Sequence, residues 1–262
     1  MPGFYTDLAA SIAGQASPNS LATALASGIG PREILGSNLI NWWDSAAGIG
    51  LVSGAVDTWT DQIGGVIVQA PAAANRCVYA ADTGYFRERS VVQTSATGPL
   101  YLYKALAATI WQVGAFPYVA CIHRQRTTTA DNARVVQVGR GGSTDVLLQH
   151  TSYAATMIAR IRGTAALPSL TNAATAIANL SESWSDGANQ FLSLNGAAST
   201  STALVGGLPL AQTSMGIGAT SDGTGGQPGN MSIRHIMFCT AVPTAALRAA
   251  LLRYARGDSG TP

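Results

Sequence analysis

Paired carboxylates are the residues that could give this chain hydrolytic chemistry. Cleavage of a glycosidic bond needs two of them about 5 to 10 Å apart, one as the acid and one as the nucleophile or base. The chain has three glutamates, Glu33, Glu88 and Glu182, and only Glu182 has a carboxylate two to four residues away, on Asp186. Asp186 precedes Gly187, which is a turn signal. We therefore expect this pair on a loop rather than in a cleft, and we predict no catalytic residues.

The histidines do not indicate a Ser/His/Asp triad. The chain lacks the Gly-x-Ser-x-Gly turn that presents the serine of many hydrolases. His123 and His235 alternate with apolar neighbours in stretches that we predict as strands, and His150 ends another such stretch. We interpret all three as structural residues.

Oxygen ligands for calcium are the metal chemistry that the sequence offers. Calcium binds about six to eight oxygens, so its ligands must come together from neighbouring loops. Asp222 and Asn230 share one Gly-rich loop, and Asp186 stands in another. Such loops also use Asp and Asn for turn chemistry alone, and we favour that interpretation. Asp186, Asp222 and Asn230 are thus the candidate metal ligands, calcium is the one candidate cofactor, and no residue is assigned to any other ligand.

The cysteines do not indicate a disulfide framework or a zinc site. Cys77, Cys121 and Cys239 are odd in number, far apart and in no Cys-x-x-Cys pair. We expect all three to be buried as small apolar residues.

The composition indicates a folded protein with little charge. Of the 262 residues 47% are hydrophobic and 11% charged, and the net charge is +2. Lys104 is the only lysine and no basic run occurs, so we predict no nucleic-acid partner. No apolar run approaches the roughly 18 residues that span a bilayer, so we predict no membrane segment. The first basic residue is Arg32, so we predict no signal peptide.

Residues 1–36 differ from the remainder of the chain. They are rich in alanine and serine, and their apolar residues have helical spacing: Leu8, Ile12, Leu21, Leu25 and Ile29. Short helices of this kind are marginal unless they pack on something. Two alternatives stay open, an arm that docks on a neighbouring subunit or a segment that folds back on its own domain. We assign residues 1–36 as an arm and residues 37–262 as the main domain.

From residue 37 onward the pattern is that of strands. Short runs rich in β-branched residues are separated by glycines and prolines, which predicts about a dozen strands. The pair Asn195-Gly196 directly after Leu194 predicts a tight antiparallel hairpin. The clearest predicted strands are Asn38 to Trp43, Gly65 to Gln69, Tyr118 to His123, Arg134 to Val138, Val146 to Gln149, Thr156 to Ile161, Ala174 to Leu180, Gln190 to Leu194, Ser214 to Ile217 and Ser232 to Phe238.

A helix is predicted close to the carboxyl end. Leu247, Leu251 and Tyr254 fall on one helical face. Thr244 can begin this helix and Gly257 can end it. We expect it to pack on the strands.

The order of several short motifs resembles the concanavalin A-like, or laminin G-like, sandwich domains found in many phage and bacterial surface proteins. Cys77 replaces the proline that such domains usually carry, and Arg234 and His235 stand where their closing strand has an acidic residue. The resemblance covers roughly residues 38–257. The residues that carry it are Trp43-Asp44, Val56, Trp59, Asp61 and Gly64, Arg76 and Tyr79, Tyr101-Leu102, Thr109 to Ala115, Leu192 to Gly196, Met215 to Gly218, Ile233 to Phe238 and Thr244 to Tyr254.

This resemblance implies the fold class. It is all-β, an antiparallel two-sheet jelly-roll sandwich with a short C-terminal helix and a partly helical N-terminal arm. In such a fold, core packing is favoured over sugar stacking for Trp43 and Trp59. Glycoside hydrolases of this fold carry a Glu-x-Asp-x-Glu run, which the chain lacks.

The resemblance also implies a function. We predict a non-enzymatic structural protein on the surface of a phage particle, either a capsid decoration protein or a fibre or tail component, made in the host cytoplasm. Residues 1–36 would bind other virion proteins, and a homo-oligomer such as a trimer is expected. The alternative is a glycan-binding adhesin or receptor-binding lectin domain that holds a host surface glycan, and a glycoside hydrolase comes third.

Overall fold

The computed structural model of the protein describes residues 29–95, 97–106, 110, 117–127, 133–139, 146–153, 156–161, 169–171, 177–204, 212–226 and 228–262. The helices predicted within residues 1–28 lie outside these ranges. The strand predicted from Thr109 to Ala115 also lies outside them, except for Ile110. The arm, its contacts with other proteins and the homo-oligomer therefore stay predictions.

Strands dominate the described residues, because alternating residues in these segments can face a shared core. Two helices, α1 (Pro31–Leu35) and α2 (Ala245–Ser259), accompany them, and neither is long and apolar enough to cross a membrane. Short 3₁₀ turns lie at Gly36–Asn38, Ala73–Asn75 and Phe86–Glu88. The described strands are β1 (Leu39–Asp44), β2 (Ile49–Val52), β3 (Ala55–Thr60), β4 (Ile67–Gln69), β5 (Cys77–Ala81), β6 (Ser90–Gln93), β7 (Leu102–Ala105), β8 (Tyr118–Gln125), β9 (Ala133–Gly139), β10 (Val146–Tyr153), β11 (Thr156–Ile161), β12 (Ser169–Thr171), β13 (Asn179–Ser185), β14 (Asn189–Leu194), β15 (Thr200–Ala203), β16 (Ser214–Ile217) and β17 (Met231–Cys239).

Hydrogen bonds join these strands into one antiparallel sheet. From one edge the order is β15, β14, β13, β8 and β17, after which β1 and β6 share the next side of β17. The ladder continues from β6 through β5, β3, β4, β7, β16, β9, β10 and β11 to β12. The predicted antiparallel all-β fold with a C-terminal helix is confirmed. The jelly-roll arrangement of two sheets stays a prediction.

The ladder folds back on itself and so creates two apolar cores. β9 lies against β17, and β11 lies against β13 and β14. One core, between these layers, includes Ile233 and Phe238 of β17 and Val136 of β9. The other lies on the opposite side of β8, β13 and β17, where Leu251 of α2 and Leu35 of α1 cover the sheet.

The tryptophans of the family-like motif belong to the first core. Trp43 and Trp59 are fully buried, and their indole N–H groups donate to the backbone oxygens of Trp59 and Asp44, respectively. The Asp61 carboxylate accepts hydrogen bonds from the Asn41 side chain and from four backbone N–H groups, those of Trp42, Ile63, Gly64 and Val66. The favoured core role of both tryptophans is confirmed. The three cysteines are buried, as expected.

The turn and helix predictions can be compared with the backbone. Asn195 and Gly196 both have positive φ, at 52° and 75°, and the Ala197 N–H donates to the Leu194 oxygen, so the predicted two-residue turn is confirmed. Thr244 caps α2 by accepting a hydrogen bond from the Leu247 N–H. The predicted helix end was wrong, because Gly260, not Gly257, adopts the left-handed conformation that ends α2.

His123 lies at the centre of β8 and is fully buried. One of its ring nitrogens, Nε2, is 2.8 Å from the Ser181 hydroxyl. Burial lowers the pKa of His123 from 6.5 to about 4, because the charged imidazolium would lose its hydration inside the sheet. The folded protein therefore holds a neutral histidine at a pH where the unfolded chain binds a proton.

This difference predicts a loss of stability in mild acid. The unfolded histidine takes up its proton as the pH falls through 6.5, whereas the folded one does so only near 4, so the free energy of unfolding decreases between those values. At pH 5 the contribution is about 2 kcal/mol. Urea unfolding of the wild type and of His123→Gln at pH 7 and pH 5 measures it. An equal loss in both proteins would contradict the assignment.

Candidate functional site

A buried ionic cluster joins β17 to α2. The Arg234 guanidinium donates to both Asp258 oxygens, at 3.0 and 3.2 Å, and to the Asp44 carboxylate at 2.9 Å. His235 Nε2 lies 3.0 Å from the Asp258 carboxylate, and the Trp42 indole donates to His235 Nδ1 at 3.2 Å. Since Nδ1 accepts, Nε2 carries the proton and donates to Asp258.

The charges of the cluster compensate one another. Burial alone would raise the pKa of Asp258, but the hydrogen bonds from His235 and Arg234 and the charge of Arg234 outweigh it and hold the pKa well below its ordinary value. Burial also disfavours the charged form of Arg234, yet Asp258 and Asp44 leave its pKa above the ordinary value. The side chains of Arg234, His235 and Asp258 are 2%, 0% and 5% exposed. Such a closed cluster fixes α2 on the sheet and offers no entry to a substrate.

A β-bulge brings the cluster together. Ile233 pairs with His123 of β8, whereas His235 pairs with the next residue along, Ile122, so Arg234 is the extra residue. A bulge re-aims side chains, which lets the consecutive residues Arg234 and His235 both reach Asp258. The sequence carries a sign of the bulge that we did not use. Apolar spacing along β17 is two up to Ile233, then three to Ile236.

A second buried cluster contains a phenol and a carboxylate. The Tyr118 hydroxyl donates to Glu182 Oε1 at 2.7 Å, and Arg248 Nε donates to the same oxygen at 2.9 Å. The Arg248 guanidinium lies 3.9 Å from the ring centroid of Trp184. Burial first, and then Glu182, raise the pKa of Tyr118 well above its ordinary value. The phenol thus stays protonated and buried, which suits packing and not nucleophilic attack.

Glu182 and Asp186 lie in different environments, one buried in a strand and the other in an exposed turn. Glu182 is 1% exposed within β13, so the expectation that both residues lie on a loop was wrong for Glu182. Asp186 does lie in the exposed turn before β14, where its carboxylate accepts from the backbone N–H groups of Ala188 and Asn189. The pair therefore does not form a catalytic dyad.

The candidate calcium ligands have local partners. Asp186 serves the turn before β14, and Asp222 Oδ1 accepts from the Thr220 hydroxyl and from both the N–H and the hydroxyl of Thr224. Asn230 donates to the Thr127 hydroxyl. Within the described ranges, no three His, Cys, Asp or Glu side chains are placed to hold a metal ion. Calcium binding stays a prediction.

An open groove of about 430 Å³ lies beside β4 and β7. Gln69 and Tyr103 form a directly paired position between these strands. Ile67 is 43% exposed, and Lys104 is half-buried. We call this feature the β4–β7 groove, and its lining residues are Ile67, Gln69, Ala70, Pro71, Tyr103, Lys104 and Ala105.

Three polar side chains of the β4–β7 groove have no side-chain partner among the residues that the structure describes. The Gln69 amide, the Tyr103 hydroxyl and the Lys104 ammonium make no hydrogen bond or ion pair with the described residues. The Tyr103 ring rests on Gly223, since a Cβ built on that glycine would be 3.3 Å from the ring. Unused donors around a supported aromatic ring are typical of a ligand site. The sequence analysis missed this groove, although it singled out Lys104 as the only lysine.

Comparison with solved structures relates the fold to parts of sialidases. A Trypanosoma rangeli sialidase in complex with the inhibitor DANA aligns with a TM-score of 0.57 and 11% identity over 95% of this chain and 37% of its own. The same sialidase with 2,3-difluorosialic acid gives 0.55 and 10%, over 96% and 37%. The CBM40 of a Ruminococcus gnavus IT-sialidase, bound to α2,3 sialyllactose, gives 0.46 and 15%, over 53% and 83%. No family model and no curated protein matches the sequence.

These comparisons correct the predicted function. The chain spans little more than a third of the T. rangeli sialidase, and the likeness at 10 to 11% identity concerns the fold. The prediction of a non-enzymatic virion structural protein was wrong, because it took the fold as a sign of phage surface proteins, and structures that share it over most of the chain are glycoside hydrolases. The prediction that the protein is not an enzyme is overturned by the same finding.

The ionic cluster makes a prediction about stability. Asp258→Asn removes the carboxylate that accepts from Arg234 and His235, and leaves a buried guanidinium with only part of its partners, so we expect a loss of about 3 kcal/mol in the free energy of unfolding. The matched control is Asp57→Asn, which removes the more exposed Arg76–Asp57 ion pair and should cost less than about 1 kcal/mol. Urea denaturation measures both. Equal costs would contradict the structural role of the cluster.

Proposed function

We propose that this chain is a carbohydrate-binding domain and that the β4–β7 groove is its binding site. The observation that carries the proposal is that Gln69, Tyr103 and Lys104 line one groove, with polar groups that have no partner among the described residues. In an open groove such a polar group exchanges a hydrogen bond to water for one to the ligand. Three groups that the described residues leave to solvent are therefore available to a ligand.

The chemistry of the groove suits a sugar. A pyranose ring presents C–H bonds on its faces and hydroxyl groups around its edge. The face of Tyr103 and the apolar surface of Ile67 can receive the C–H face, because aromatic rings combine apolar area with a polar edge. The Gln69 amide both donates and accepts, which matches hydroxyl groups that do the same.

The fold comparison supports this proposal. The T. rangeli sialidase structures carry the inhibitor DANA or a difluorosialic acid, and this chain aligns with only 37% of that protein. A domain of this fold therefore occurs within a longer carbohydrate-active protein. We also infer that the folded ladder is the two-sheet jelly-roll sandwich expected from the sequence, which the placement of β9 against β17 supports.

Substitution of Tyr103 tests the site. Tyr103→Ala removes the ring and should weaken glycan binding by at least about tenfold, whereas Tyr103→Phe keeps the ring and should retain most of the affinity. Isothermal titration with sugars selected on a glycan array measures both. Val78→Ala, which alters an exposed apolar residue outside the groove lining, is the control. Sugar binding that Tyr103→Ala leaves unchanged would contradict the assignment of the groove.

Hydrolysis is the second function to test, because the sialidases that share the fold are glycoside hydrolases. The wild-type protein and Tyr103→Ala are each incubated with sialylated sugars, and the release of free sialic acid is measured. Release that Tyr103→Ala abolishes would extend the role of the groove from binding to catalysis. Release that persists in Tyr103→Ala would place the reaction outside the groove.

A further inference from the structure

Lys104 is the charged residue of the β4–β7 groove. Among the residues that line it, the other six are neutral: Ile67, Gln69, Ala70, Pro71, Tyr103 and Ala105. Lys104 is half-buried, and it forms no ion pair with the aspartates and glutamates of the described chain. Among the described residues, no carboxylate compensates this positive charge.

Four arginines of the described residues, in contrast to Lys104, have carboxylate partners. Arg76, Arg124, Arg234 and Arg248 each contact a carboxylate, at distances from 2.6 to 3.0 Å. Burial of a charge costs free energy unless a partner compensates it. Because the described residues supply no carboxylate for Lys104, an anionic ligand would form an ion pair there without displacing one of them.

We propose that the sugar bound in the β4–β7 groove carries a single negative charge, on a carboxylate or a sulfate, and that Lys104 binds it. This inference rests on the proposed carbohydrate-binding function. A lysine ammonium acts as a point charge with three donors, so it recognises either anion. The one charge and the apolar lining fit a singly charged sugar better than a polyanion, which needs a wider basic surface.

Three related sugars separate charge recognition from sugar recognition. Lactose is neutral, α2,3-sialyllactose carries a carboxylate, and lactose sulfated on the galactose carries a sulfate. Titration into the wild-type protein should give at least about a tenfold higher affinity for one or both charged sugars than for lactose. A preference for sialyllactose alone identifies a carboxylate ligand, a preference for the sulfated sugar alone identifies a sulfate, and a preference for both indicates recognition of charge alone.

Two variants of Lys104 assign the preference to this side chain. Lys104→Gln keeps a polar group of similar length without the charge and should abolish the preference for the charged sugar over lactose. Lys104→Arg keeps the charge and should retain most of the preference. High salt should reduce the preference of the wild type, because the groove is open to screening ions. Thermal melting confirms that both variants fold.

The outcomes distinguish this inference from the function on which it rests. Equal affinity for lactose and for both charged sugars would overturn the anionic ligand and leave carbohydrate binding intact. A preference that survives in Lys104→Gln would overturn the role of Lys104. Failure of all three sugars, and of every sugar on a glycan array, to bind the folded wild-type protein would overturn the carbohydrate-binding function itself.

Discussion

The buried guanidinium of Arg234 is the constraint on which the arrangement of the closing strand, the first strand and the C-terminal helix depends. Its side chain is 2% exposed, and a charge at that depth is tolerated only when carboxylates and hydrogen bonds surround it. The partners come from different parts of the chain: Asp44 at the end of β1, Ser45 directly after it, and Asp258 on α2. One side chain thereby orients elements that are far apart in sequence.

Because of the bulge at Arg234, β17 contributes side chains both to the first core and to the contact with α2. Before the bulge Met231 and Ile233 enter the first core, and after it Ile236 and Phe238 do so, which keeps the apolar side continuous across the extra residue. The polar pair Arg234 and His235 meets α2 on the other side. This closed side contrasts with the β4–β7 groove, where three polar side chains have no partner among the described residues.

The sequence predicted local structure well where one residue type has one physical role. Asn195-Gly196 predicted its turn because few other residues tolerate positive φ at both positions. The alternating spacing of apolar residues in the sequence predicted β8 and β17. It did not predict short strands such as β2 and β15, in which residues are largely exposed and alternation carries little signal.

The candidate site was much harder to predict, because its residues meet through pairing that is distant in sequence. Gln69 and Tyr103 are neighbours only across the single β4–β7 pairing, and a polar side chain without a partner cannot be recognised before the fold is known. The role of Asp258 was missed for the same reason, since its partners Arg234 and His235 on β17 are distant from it in sequence. The functional prediction failed because it rested on likeness of fold, which does not determine function.

A crystal structure of the protein grown with α2,3-sialyllactose tests most directly whether the β4–β7 groove binds a sugar. We expect sugar density over the Tyr103 ring, with the sugar carboxylate next to the Lys104 ammonium and a sugar hydroxyl group within hydrogen-bond distance of Gln69. Density for the sugar at another surface, with the β4–β7 groove filled by solvent alone, would contradict the assignment of this groove as the sugar-binding site.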